Sequence, residues 1–293
     1  MRGQERGTHQ KEFGFCAEER VPEDHPIRAI KRFVEKALYD LRHELTDMYS
    51  YEGRPSIAPE TLLKSLLLMV LFSVKSERQF CSMLRYNLLF QWFLNMSVMD
   101  PVFDPTVFSK NRGRLLEHEI AQKFFETINN HLKEAGVFGC EHFSVDGTLI
   151  EAWASLKSLE KRDPDDYDKR TKGKRPSEIG KNDEYKSKTD SDASIARKPG
   201  VPTKLFYMGN ILMENRNGLC VEVEILPATG TAEVEAATKM VKRQKEKDFK
   251  VETLGADANY HREEFVSDCR NNDVKPHVAR QGNRKISGMD GRA

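Results

Sequence analysis

The chain has 293 residues, 38% of them hydrophobic and 32% charged, and its 47 Lys and Arg against 46 Asp and Glu leave a net charge of +1. That length has room for two domains and at least one well-buried core. With charge so balanced, any contact with nucleic acid has to come from locally arranged Lys and Arg, since there is no bulk positive potential to supply it. The five cysteines (Cys16, Cys81, Cys140, Cys220 and Cys269) show no CxxC pair and no Cys/His cluster, which argues against a disulfide framework or a zinc site and suits a reducing cytoplasm. The most apolar run, Thr61 to Phe72, is broken by Lys64 and falls short of the roughly 20 residues of a membrane span. Nothing apolar follows Arg2, Glu5, Arg6 and Lys11 as it would in a signal peptide, so a cytoplasmic protein is expected.

Residues 1–23 lack periodicity and are expected to be loosely ordered. From there to residue 136 the spacing is helical. Ile30, Phe33, Val34, Ala37, Leu38 and Leu41 make one apolar face, and Leu62, Leu63, Leu66, Leu67, Val70 and Leu71 make another behind Pro59 and Glu60. Ser76 and Gln79 form a capping box, Asp104-Pro105 starts a further helix, and Ile120, Phe124, Ile128 and Leu132 mark a last one that stops near Gly136. Residues 24–136 therefore read as an all-helical domain.

The pattern then changes. Cys140 to Leu149 is rich in β-formers and alternates as a strand, with Phe143 and Val145 on one face and Asp146 near its end. Residues 157–202 are dense in Lys, Arg, Asp, Glu, Ser and Pro, and read as a polar insertion or flexible loop unable to bury a core. A hairpin follows, from Leu205 to Met213 and from Leu219 to Ile225, with Asn217-Gly218 as its tight turn. Thr231 is the expected cap of a helix that carries Glu233 and Glu235 early and Lys242, Arg243 and Lys245 late, the order the helix dipole prefers. A short strand, Val251 to Ala256, ends at Asp257. A helix around Arg262 to Asn271 and a strand from Val274 to Val278 complete the series.

Asp146 and Asp257 thus stand at the ends of two strands far apart in sequence. Hard carboxylate oxygens so placed suit Mg²⁺ in phosphodiester chemistry, although an aspartate at a strand end is more often a turn former or a helix cap. Among the aromatic residues, Phe90, Trp92 and Phe93 read as core, with a base-stacking surface the alternative. Trp153, just after the first strand, is open between burial and stacking on a distorted base. His142 and His277 read as structural.

Strings along most of the chain resemble insertion-sequence transposases of the DDE class, in the IS-five grouping. They include His25-Pro26-Ile27-Arg28, Gly53-Arg54-Pro55-Ser56, Ser76-Glu77-Arg78-Gln79-Phe80, Tyr86-Asn87-Leu88-Leu89-Phe90 and Phe108-Ser109-Lys110-Asn111-Arg112. Further along come Val145-Asp146-Gly147-Thr148-Leu149-Ile150-Glu151-Ala152, Tyr207-Met208-Gly209, Met213 to Leu219, Ala228 to Glu233, Gly255-Ala256-Asp257, Pro276-His277-Val278-Ala279 and Asp290-Gly291-Arg292.

The resemblance implies an all-helical N-terminal DNA-binding domain over residues 24–136. It implies an incomplete RNase H-like α/β catalytic domain over residues 137–293, interrupted by the polar insertion at 157–202. Asp146 and Asp257 would be the first two catalytic carboxylates, binding Mg²⁺ or Mn²⁺. The partners implied are the terminal inverted repeats of the element and target DNA, engaged by a homo-oligomer, with no role for a membrane. Lys75, Arg78, Lys110, Arg112 and Arg114 are the candidates for phosphate contact, against the alternative of ordinary solvated helix faces.

Two departures qualify the resemblance. In the family the second aspartate is usually followed by Lys, a small residue, Tyr and Asp, whereas here Ala258-Asn259-Tyr260-His261 follows Asp257. The family's catalytic Glu lies beyond the Asp-Gly-Arg motif, and Ala293 is the one residue after Arg292, so no position matches it. The expectation is an impaired transposase, with a non-catalytic DNA-binding fragment that inhibits transposition as the rival and a general hybrid nuclease disfavoured. Glu263 and Glu264 read as solvated helix-face charges, Asp290 as a frayed-end charge, and Arg284 and Lys285 as residues that approach DNA or do not.

Overall fold

The computed structural model describes residues 17–279, apart from 51, 54, 140, 176–178, 198–199, 201 and 248 and the side chains of 109, 116 and 117. The chain divides into two compact units, Met1–Ala135 and Gly136–Ala293.

The first unit is helical. Its described helices are α1 (Pro26–Asp40), α2 (Arg42–Asp47), α3 (Pro59–Leu71), α4 (Glu77–Leu84), α5 (Leu88–Phe93), α6 (Thr106–Glu117) and α7 (Ile120–Glu134). Side chains start several of them where the sequence places caps. The Ser76 hydroxyl accepts from the Gln79 amide at 3.2 Å, the Asn87 side chain from Phe90 at 3.1 Å, and Asp104 from Thr106 at 2.8 Å. Leu38, Leu45, Leu62, Leu68, Phe80, Leu84, Phe90 and Phe93 meet in one buried cluster, where Phe80 and Phe90 stack with ring centroids 5.5 Å apart. Phe90, Trp92 and Phe93 belong to that core, so none of the three offers a base-stacking face.

The loose N-terminus expected as far as residue 23 is corrected over its last residues. Ala17–Arg20 form a 3₁₀ turn with Ala17 and Val21 buried, and the Glu18 carboxylate accepts from the Trp92 indole N–H at 2.5 Å and pairs with Arg28. Two small apolar residues and one satisfied indole hold down a segment that has no periodicity to announce it. Residues 1–16 lie outside the described residues.

Two lysines are buried in this unit. Lys64 is 2% exposed and meets Glu35 at 3.0 Å. Lys31 is 7% exposed, donates to the Trp92 carbonyl and to Asn95 Oδ1, each at 2.7 Å, and lies 4.2 Å from the centroid of the Trp92 ring. Burial pushes the Lys31 ammonium down to about 8, with the charge of Glu35 opposing the shift.

The second unit holds β1 (His142–Glu151), β2 (Leu159–Lys161), α8 (Pro164–Thr171), α9 (Lys181–Glu184), β3 (Tyr185–Ser187), β4 (Ser194–Ala196), β5 (Lys204–Glu214), β6 (Leu219–Pro227), α10 (Ala232–Glu246), β7 (Thr253–Ala256), α11 (Glu263–Asn271) and β8 (Lys275–Val278). Its main sheet is mixed. β6 and β5 pair antiparallel, β5 and β1 antiparallel, then β1, β7 and β8 run parallel, with β4 on the first residues of β5. Parallel neighbours need crossover connections, and α10 and α11 supply them. Phe143, Val145, Leu212 and Leu254 are buried on the strands, Met240 and Val241 on α10, and Phe265 and Val266 on α11.

Three further expectations are corrected. The stretch 157–202 is not a coreless loop: β2 and β3 pair antiparallel, and Ala193, with Leu159 and Ile195, packs over Ala152 and Leu205. A few small apolar residues suffice because hydrogen bonds do the rest, as where Asn182 brackets the Ile195 backbone at 2.9 and 2.7 Å. The β5–β6 hairpin turns through residues 215–218, not through Asn217-Gly218 alone, because the buried Glu214 carboxylate accepts the amides of Arg216 at 2.6 Å and Asn217 at 2.9 Å. Thr231 makes no side-chain cap, since its hydroxyl donates instead to Glu235 at 2.6 Å.

An amine held at about 8 against an ordinary 10.5 means that the folded chain binds fewer protons than the unfolded one between those values. Stability from this group therefore rises with pH across the window. Relative to Lys31→Met, the wild-type melting temperature is expected to gain as the buffer goes from about pH 7 to about pH 10. A difference that stays flat or falls would show the ammonium to be solvated.

Candidate active site

Asp146 and Asp257 come from neighbouring strands. β1 and β7 run parallel with Ser144 opposite Gly255, and each aspartate lies two residues further along its own chain. Adjacent strands lie roughly 4.8 Å apart, so the register, carried two residues on, sets the two side by side. Asp257 lies one residue past β7, and Asp146 lies midway along β1 rather than near its end as the sequence suggested, because β1 stays paired with β5 as far as Glu151. Both residues are exposed. Asp146 Oδ1 accepts from the Gly147 amide at 2.8 Å. Asp257 Oδ1 accepts from the Asn259 amide at 2.9 Å and so opens a 3₁₀ turn, Ala258–Tyr260. The helix-cap role and the side-by-side placement thus coexist at Asp257. Gly255 is not demanded by space, because a Cβ there would meet Phe143 O and Ser144 Cβ at an ordinary 3.7 Å.

Sequence reasoning missed Glu233, which it read only as a partner for the helix dipole. α10 packs on β5, β6 and β1, and its first turn brings Glu233 down onto Gly147. A Cβ added at Gly147 would lie 2.9 Å from both Glu233 Cγ and Oε1, and 3.0 Å from Asn210 Oδ1. Only glycine leaves room for this approach. The helix is pinned at both ends: Arg243 donates to Glu222 at 2.8 Å and to Glu224 at 2.5 Å on β6, and Arg262 donates to the Gly230 carbonyl at 2.7 Å. Burial raises the Glu233 carboxyl above the usual carboxylate range, the charges of Asp257 and Asp146 raise it further, and Arg262 opposes them.

Two buried polar atoms near this cluster have no hydrogen-bond partner. Tyr260 is 1% exposed and Asn210 0%, and neither the Tyr260 hydroxyl nor Asn210 Oδ1 finds one. The Asn210 amide nitrogen donates to the carbonyls of Met208 at 3.2 Å and Glu224 at 3.3 Å, which turns its oxygen toward Gly147 and Glu233. The phenol of Tyr260 is pushed up by burial first, then by the charges of Glu233, Asp146 and Asp257.

Among the described residues no group of three or more His, Cys, Asp or Glu is arranged to hold a metal ion. Two aspartates do match what Mg²⁺ requires, since it takes one or two carboxylates and keeps water or substrate phosphate in its other positions. Orphaned buried oxygens beside the pair are the kind of acceptor such water needs.

The other candidates lie elsewhere. Glu263 and Glu264 are exposed in the first turn of α11, and Arg284, Lys285 and Asp290 lie outside the described residues. His142 contacts the Thr253 hydroxyl at 2.9 Å, bracing β1 against β7. Trp153 is 94% exposed and not buried. In the helical unit Lys75, Arg78, Lys110, Arg112 and Arg114 are all exposed. Arg112 pairs with Glu77, Arg114 lies 5.1 Å from the Tyr49 ring centroid and bonds Asn111 at 3.4 Å, and Arg78 and Lys110 share the field of Asp104. Among the described residues no helix is long and apolar enough to cross a membrane.

Gly147→Ala is expected to destabilise the chain by about 1–3 kcal/mol, the usual cost of overpacking. Shortening the opposing side chain in Gly147→Ala/Glu233→Ala is expected to restore part of that loss in denaturant unfolding. Equal losses in the single and double variants would mean that Glu233 does not rest on Gly147.

A piggyBac transposase in a synaptic complex with hairpin DNA, solved by cryo-electron microscopy, aligns with 87% of this chain at 10% identity and a TM-score of 0.34. The aligned chain spans about half (49%) of that protein's length. Residues 15–114 match the family described as Transposase domain (DUF772), and it is to transposases that this protein is similar.

Proposed function

We propose that the chain is a DNA transposase of the DDE class, in the IS-five grouping, whose second unit is RNase H-like and whose Asp146 and Asp257 hold Mg²⁺ or Mn²⁺. The observation that carries the proposal is the parallel register of β1 and β7, which brings Asp146 on β1 alongside Asp257, one residue past β7. Three antiparallel strands followed by two parallel ones agree with the RNase H-like reading, and the Transposase domain match over residues 15–114 supports the class of activity. The substrates are the terminal inverted repeats of its own element and then target DNA, with copies of the chain assembled on them.

A cation bound there would activate the attacking oxygen and stabilise the leaving oxygen of an in-line displacement. Asp146 and Asp257 supply hard anionic oxygens from a rigid sheet, which fixes where a phosphodiester must lie. The Gly147 and Asn259 amides orient the two carboxylates by donating to one oxygen of each and leaving the other to face outward. Lys75, Arg78, Lys110 and Arg112 offer phosphate contacts that position DNA without reading its sequence. No covalent protein–DNA intermediate is required, so no serine or tyrosine nucleophile is assigned.

A second reading is a DNA-binding protein that occupies the repeats and blocks transposition without cutting. The absence of a three-ligand metal group among the described residues favours it. Duplexes taken from the sequence flanking the coding region, incubated with the full chain in Mg²⁺ or Mn²⁺ and then in EDTA, separate the two. Weak cation-dependent nicking is expected, in keeping with an impaired transposase, falling to background in Asp146→Asn and Asp257→Asn while the electrophoretic shift persists. A shift with no nicking selects the second reading, and neither shift nor nicking would overturn both.

A further inference from the structure

We propose that Glu233, backed by Asn210 and Tyr260, is the third acidic group of this site, accepting hydrogen bonds from the water shell of a divalent cation held by Asp146 and Asp257. This rests on the reading that the two aspartates hold such a cation, and it adds a residue from a different element, α10.

The placement is built into the fold. Gly147 directly follows Asp146 and is the point at which Glu233 touches β1, since a single added methyl would collide with its Oε1 at 2.9 Å. Arg262, five residues after Asp257, anchors Gly230 just ahead of α10. Contacts close to each aspartate in the chain, at Gly147 and at Arg262, thus fix the start of Glu233's helix. α10 cannot move away without breaking its hold on Glu222 and Glu224.

Asn210 and Tyr260 make this more than a cluster of acids. Both are fully buried and both keep an oxygen without a partner; Asn210 Oδ1 lies against the point where Glu233 meets Gly147, and the Tyr260 phenol lies within the field of Glu233, Asp146 and Asp257. A buried oxygen left unpaired is costly, so the arrangement calls for an occupant that supplies donors. Asn210 Oδ1 and a carboxylate are both acceptors and do not satisfy each other. Water held by a divalent cation there would present hydrogens to each of them and to the Tyr260 oxygen. The lack of three directly ligating side chains among the described residues fits this outer position for Glu233, and outer-shell partners of this kind typically change metal affinity by about 10–100-fold when removed.

The test is calorimetric titration of the full chain with MnCl₂, alongside thermal unfolding in EDTA and in Mn²⁺. Without cation, three neighbouring carboxylates repel. Glu233→Gln is therefore expected to melt higher than wild type in EDTA, to gain less on adding Mn²⁺, and to bind Mn²⁺ about tenfold more weakly. Glu263→Gln, on an exposed turn, is expected to match wild type in all three. A lower melting temperature in EDTA with Mn²⁺ affinity unchanged would make Glu233 a structural residue and overturn the proposal. Loss of Mn²⁺ binding in Asp146→Asn with none in Glu233→Gln would overturn it alone, leaving the two-aspartate reading intact. A wild-type chain that takes up no Mn²⁺, or an affinity indifferent to Asp146→Asn, would remove both.

Discussion

Three residues of parallel pairing govern the second unit of this molecule. His142, Phe143 and Ser144 face Thr253, Leu254 and Gly255, and this short ladder is where two stretches more than a hundred positions apart in the chain are brought into step. It holds because its central pair, Phe143 and Leu254, is buried to completion, so a slip by one residue would turn both side chains out of the core. Were the register to move, one aspartate would face the opposite side of the sheet. The hydrogen bond between the His142 ring and the Thr253 hydroxyl locks the beginning of the same ladder.

The crossover imposed by parallel strands has a second effect. A chain that leaves β6 and must return as β7 beside β1 has to cross the sheet, and α10 makes that passage. The helix therefore lies over the strand that bears Asp146, and the missing side chain at Gly147 determines how closely it can settle. Ionic anchoring at Arg243 and backbone anchoring through Arg262 fix the seat of the helix from its far and near ends. Repulsion among Asp146, Glu233 and Asp257 is borne by this scaffold, which stays packed through Met240, Val241 and Phe265 underneath.

Much of this was legible in the amino-acid order. The alternation of Phe143 and Val145, the helical spacing of Leu62 to Leu71 and the caps at Ser76 and Asp104 each follow from one side chain and its near neighbours, and local rules read them well. Strand pairing is not local: nothing within β1 or β7 says that they will meet. Glu233 was hidden for the same reason. In sequence it sits among the acids that any helix favours in its first turn, and the string Ala228 to Glu233 within the resemblance was the one signal that marked it. The polar stretch 157–202 was misread because composition counts apolar residues without asking how many a thin layer over an existing sheet requires. Leu159, Ala193 and Ile195 are enough when β5 already supplies the floor. Trp153 ran the other way, a large aromatic that composition would bury and the fold leaves outside.

The two tryptophans also give the two units separate optical identities. Trp92 is enclosed, with the Lys31 ammonium 4.2 Å and the Arg28 guanidinium 5.2 Å from its ring centroid, while Trp153 already stands in solvent. Indole emission responds to a change of surroundings, and only one of the two has surroundings to lose. Its wavelength therefore follows the melting of the helical unit alone, and the sheet that carries the aspartates comes apart almost silently in that signal.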